Sequence, residues 1–177
     1  MKLTLVWAGV ALSLLAGCAS PKVDEYQGEK PVLDLAAYFN GKLDAWGIVR
    51  NRSGKVVRRF RVAMTGTWQG SNGTLEEDFT YADGSKSRRV WKISKIYANH
   101  NRGIAADVVG EAVGEARGNA LQWRYVLAVP IDGKTYHVNF DDWMYLMDDE
   151  VMLNKSDMRK FGVGLGEVIV SFRKISE

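Results

Sequence analysis

From Lys42 to the end of the chain, residues that favour tight turns recur at short intervals. They fall at Ser53-Gly54, Asn72-Gly73, Asp83-Gly84, Gly118-Asn119, Asp132-Gly133 and Asp148-Asp149. Between them apolar and polar residues alternate, the two-residue period of a strand with one buried face. Val56, Arg58, Phe60, Val62, Met64, Gly66 and Trp68 share one face, while Arg59, Arg61, Thr65 and Thr67 take the other. Leu75, Phe79 and Tyr81 make a second apolar face, Trp91 and Ile93 a third, and Leu121, Trp123, Tyr125, Leu127 and Val129 a fourth. Tyr136, Val138 and Phe140 follow, then Val168, Val170 and Phe172. No helical crossover of useful length separates these segments, which disfavours parallel βαβ units. The expected fold is all-β: about eight to ten strands in an antiparallel up-and-down barrel, which the near-consecutive hairpins favour over a sandwich. The segments are too unevenly apolar for a transmembrane barrel. Gly110, Gly114 and Gly118, and then Gly162, Gly164 and Gly166, mark places of bending or close approach.

The N-terminal part follows other rules. Lys2 and the apolar run Leu3 to Leu14 lead into Leu15-Ala16-Gly17-Cys18, and Cys18 is the only cysteine. The run is short for a bilayer span and has the layout of a secretory signal. Its end resembles the bacterial lipobox, whose cysteine is acylated and becomes the new N-terminus. Residues 1–17 are therefore read as a signal peptide, 18–32 as the lipidated Cys18 with a polar tether, and 33–177 as one barrel domain. Asp34 is placed to cap a short N-terminal helix, Leu35 to Phe39, stopped by Asn40-Gly41. Several acyl chains would hold the protein firmly to a membrane. Ala19 and Ser20 follow the cysteine, with no Asp, which favours the outer membrane, facing the periplasm.

Composition narrows the function classes. A formal net charge of +3 is too mild to argue for nucleic acid. Basic residues cluster at Arg50, Arg52, Lys55, Arg58, Arg59 and Arg61, read first as a solvated hairpin face and second as a contact for anionic headgroups. No nucleophile, thiol-redox or zinc-protease motif is present, and His100 and His137 lack ligand-like spacing. Asp141, Asp142, Asp148 and Asp149 lack the alternating oxygens and central glycine of a calcium loop. No metal, cofactor or catalytic set is expected, and a monomer is.

Alternation places four charges inside: Arg58, Glu77, Arg89 and Asp142, among Trp91, Trp123, Tyr125 and Phe140. Buried charges need partners. They are either structural ion pairs or the polar end of an apolar cavity that takes the head of an amphipathic ligand. An enzyme acting on a lipid is the rival reading, with Asp142 or Glu77 as acid or base and Arg58 or Arg89 stabilising negative charge. A third reading offers Trp143 and Tyr145 to an envelope partner. Gly66-Thr67-Trp68 is similar to the G-x-W element of lipocalins, with Arg173 as the basic residue beneath the tryptophan.

Several segments together resemble one family of proteobacterial lipoproteins, the domain of unknown function numbered 3833. They are Tyr38-Phe39-Asn40-Gly41 with Ala45-Trp46-Gly47, Thr65-Gly66-Thr67-Trp68, Leu75-Glu76-Glu77, Asp107 to Ala112, Asn139 to Asp149, and Gly166-Glu167-Val168. The resemblance implies a lipocalin-like barrel in an outer-membrane or periplasmic lipoprotein, and it leans toward a lipid or fatty-acid ligand.

Overall fold

The structure, a computed structural model, describes residues 20–175. Cys18 and the expected signal peptide lie outside the described residues. Ten strands follow in order: β1 (Gly41–Asn51), β2 (Val56–Gln69), β3 (Asn72–Tyr81), β4 (Lys86–Tyr97), β5 (His100–Ile104), β6 (Ala112–Arg117), β7 (Ala120–Ile131), β8 (Lys134–Leu146), β9 (Val151–Lys160) and β10 (Val163–Lys174). Each pairs antiparallel with its sequence neighbour, and β1 pairs with β10 from Leu43↔Lys174 to Asn51↔Gly166, so the barrel is closed. Closure removes both sheet edges and gives every strand an inner and an outer face.

One end is plugged. Asp34 accepts a hydrogen bond from the Ala37 backbone and starts α1 (Leu35–Phe39). The helix buries Leu35, Tyr38 and Phe39 under the barrel, with Phe39 edge-on to Phe172. Lys174 donates from its ammonium to the Ala37 carbonyl and ties the last strand to the plug. The β1–β2, β3–β4, β7–β8 and β9–β10 hairpins turn at the opposite, open end.

Three expectations need correction. Asn72-Gly73 lies inside β3, with Asn72 paired to Gln69, and the turn is Gly70-Ser71. Gly73 is a packing glycine, because the Trp68 ring lies across it. Second, the stretch read as a tether docks on the barrel. Val23 is buried and Asp24 pairs with Arg117, and just after the stretch the buried Leu33 donates from its amide to the Gly118 carbonyl. Third, Trp143 is no open docking face: Tyr26 packs on Trp143 and Tyr145, and Trp143 is buried. Tyr26 covers only the plug-end part of the outer face of β8, and Thr135, His137 and Asn139 on the same face stay exposed.

Among the described residues, every strand pair and the buried core lie within residues 23–175. A chain begun at Ala19 retains all of these. A Cβ added at Gly66 would run into the Phe39 carbonyl oxygen, which is backbone and cannot swing aside. Gly66→Ala is expected to displace the plug and lower stability by about 2–3 kcal/mol, read as a lower melting temperature.

Candidate functional site

The interior is filled unevenly. Toward the plug, Leu75, Trp91, Ile93, Leu121, Trp123 and Phe172 are all buried and packed together. Toward the mouth, Phe60, Phe79, Leu127 and Val168 face inward from all sides yet stay only half-buried. Free space of about 330 Å³ runs down the lumen from between them, past Tyr81, Tyr125, Val129, Phe140 and Met158, and reaches Leu121 and the plug residues Leu35 and Phe39. That volume sits at the small end of the range for ligand pockets. Rings order its walls: Tyr125 stacks on Phe140 at 5.1 Å, Phe79 on Tyr81 at 6.1 Å, and Trp91 meets Tyr125 edge-on at 5.6 Å.

The polar groups sit at mid-height. Asp142 on β8 is buried and accepts a hydrogen bond from the Ser156 hydroxyl of β9, its register partner. Burial pushes its pKa up to about 7, although Ser156, Tyr125 and Arg89 favour the anion. Glu77 on β3 is also buried, and its Oε2 has no hydrogen-bond partner among the described residues. Its register neighbour Arg89 stands 3.7 Å away, too far for a hydrogen bond. Burial raises the Glu77 pKa to about 7, with Arg89 opposing and Asp107 reinforcing the shift. Burial works against the charge on Arg89, but Glu77 and Asp107 outweigh it and hold its pKa above the usual value.

Asp107 was not singled out from the sequence as a site residue. Arg89 donates to both of its oxygens, at 3.0 and 3.1 Å from Nε and 2.7 Å from Nη2. The pair has a structural task. β5 flanks β4 only from Lys92 onward, so the mouth half of β4 lacks a strand on that side. Residues 105–111 fill the gap by joining β7 instead, through the Val108↔Leu127 bridge and the amides of Val109 and Ala128. Arg89 and Asp107 then close the wall side chain to side chain. Family-like segments beginning at Asp107 were the one available signal. Ser156 could have been found by the inward alternation of Met152, Asn154, Ser156 and Met158.

Of the expected site residues, Glu77, Arg89, Trp91, Trp123, Tyr125, Phe140 and Asp142 all line the one cavity. Arg58 lines the same cavity, and only its expected burial is corrected: it stands at the rim, exposed, with its guanidinium 3.5 Å over the Tyr81 ring. Its parity points inward, but it sits near the mouth end of β2, where inward means water. Arg173 is corrected too: Phe172 faces in, so Arg173 faces out and is exposed.

The cavity wall at mid-height thus carries two carboxyls that change charge near neutrality, beside a cation already engaged. Such groups accept hydrogen bonds when ionised and donate them when protonated. A carboxyl whose folded pKa is raised contributes stability that is full below its ordinary pKa and is lost as pH rises through about 7. Asp142→Asn keeps the Ser156 contact and removes the charge. It is expected to raise stability by about 2 kcal/mol at pH 8 and much less at pH 5, measured by calorimetric melting.

No curated protein matches the chain in sequence. Among solved structures, the S-type phycobiliprotein lyase CPES from Guillardia theta is similar in fold. The TM-score is 0.60 at 8% identity, over 89% of this chain and 100% of the lyase chain. That likeness agrees with a lipocalin-like barrel. The family described as Protein of unknown function (DUF3833) matches residues 12–174, nearly the whole of the described barrel and its N-terminal segment, and the chain belongs to it.

Proposed function

We propose that this barrel binds one amphipathic ligand with a long apolar chain, a fatty acid or another acyl lipid. The chain lies against the aromatic walls of the open half, and the polar head rests on Glu77 and Asp142. The observation that carries this reading is an aromatic-walled cavity of about 330 Å³ with buried carboxyls in its wall, one oxygen of which lacks a hydrogen bond. A core packed to native density leaves few voids, and buried polar atoms without a hydrogen bond are rare. The protein is a carrier or shield rather than a catalyst. Arg89 is bound to Asp107 and is not free to stabilise developing negative charge. In keeping with the lipobox, acyl chains on Cys18 hold the protein to the outer membrane, facing the periplasm, and it works as a monomer.

The first test is native mass spectrometry with lipid extraction on residues 19–177, purified without detergent from a periplasmic host. A discrete bound lipid is expected; an empty protein that stays empty after incubation with fatty acids and phospholipids would sink the reading. A fatty carboxylate meets two carboxyls that are ionised above about pH 7. Fatty-acid affinity is therefore expected to rise about tenfold from pH 8 to pH 6, measured by displacement of a fluorescent fatty acid. Asp142→Asn should flatten that dependence. Lipidation is tested separately. Labelled palmitate is expected in the full chain and absent from Cys18→Ser.

A further inference from the structure

We infer that the open rim of the barrel is a docking surface for an anionic lipid bilayer, so that the cavity mouth meets the membrane face to face. Apolar residues stand exposed on three of the hairpins that ring the mouth: Val56 and Val57, Ile131, and Phe161 with Val163. Phe161 is the most telling. It occupies the tip of the β9–β10 hairpin, 89% exposed. With φ of 50° followed by Gly162 at 77°, it sits where such turns favour Asn or Asp. A bulky ring there carries backbone strain and buries nothing, so it serves no part of the fold. Insertion into an apolar phase is what it would gain from.

Charge identifies that phase. Arg52, Lys55, Arg58 and Arg59 flank Val56 and Val57 with no acidic residue from Arg52 to Phe60. Arg159 and Lys160 precede Phe161, and the Lys160 ammonium stands 4.8 Å over its ring. Apolar tips set among cations match the interface of a bilayer that contains anionic headgroups. The plugged end also exposes apolar groups, among them Ile96, Tyr97 and Met147, but Met147 leads directly into Asp148-Asp149-Glu150. That hairpin would be repelled by the same surface. The ends differ in degree: at the rim the β1–β2 and β9–β10 hairpins both set exposed apolar residues among cations, while at the plugged end Ile96 and Tyr97 beside Lys95 do so at one turn and Met147 is set among acids.

The test is co-sedimentation of residues 19–177 with phosphatidylcholine vesicles, with and without phosphatidylglycerol. Binding is expected to the anionic vesicles, to fall steeply as salt is raised, and to drop about tenfold in Phe161→Ser and again in Lys55→Glu. Neither residue belongs to the core, so both variants should melt as the parent does. A variant that melts early is replaced by Val57→Ser or Lys134→Glu at the same rim. No binding at low salt, or equal binding by parent and rim variants, overturns the proposal. So does a dimer in light scattering that Phe161→Ser dissolves, since the rim would then pair with a second copy. Met147→Ser at the opposite end should leave vesicle binding unchanged. The readout needs no cavity ligand, so it stands or falls separately from ligand binding.

Discussion

The pairing of β1 with β10 is the constraint on which the remaining structure depends. It joins the first strand of the barrel to the last, through nine register pairs. With it, the backbone groups of both edges are satisfied; without it, two long edges would be open to pairing with other chains. Closure also sets the bore. Once the bore is set, each inward side chain competes with those across the lumen for one limited volume. Glycine at position 66 and the seat of Phe39 belong to the same constraint, because the plug must enter the bore that closure defines.

Within that bore the two halves diverge. Toward the plug, large indoles narrow the lumen, Trp91 meeting Trp123 at 5.9 Å. Toward the mouth the inward residues are of similar kind but only half-buried. The buried carboxyls stand between the two. A carboxyl removed from water must be neutralised, hydrogen-bonded or paired. Asp142 is hydrogen-bonded by Ser156, while Glu77 is left partly unmet. The cation that parity placed beside them spends its hydrogen bonds on Asp107, closing a gap in the wall that the short β5 and β6 leave. Wall closure and cavity electrostatics are therefore coupled through one arginine.

Much of the site was legible from alternation. Glu77, Arg89, Tyr125, Phe140 and Asp142 reach one cavity because strand parity is strict in a closed barrel. Parity carries no information about height, which is why Arg58 reads as interior and stands at the rim. It carries none about loops, which is why Asp107 went unmarked. A two-residue code cannot show that Tyr26 folds back over Trp143, since that contact spans more than a hundred residues of chain. Turn chemistry also has limits. Asn72-Gly73 has turn composition, but the glycine is there to admit the Trp68 ring.

The sequence by itself determined the all-β hairpin plan, the capped helix before β1, and the faces of the strands that carry the site, β3, β4, β7 and β8. These follow from local rules: two-residue periodicity, turn residues and one capping aspartate. The tertiary structure alone decided how much of the lumen stays empty, which cation meets which carboxylate, and which apolar residues remain in water at the mouth. Those depend on the bore and on the summed volume of side chains from ten strands, quantities that no single segment contains.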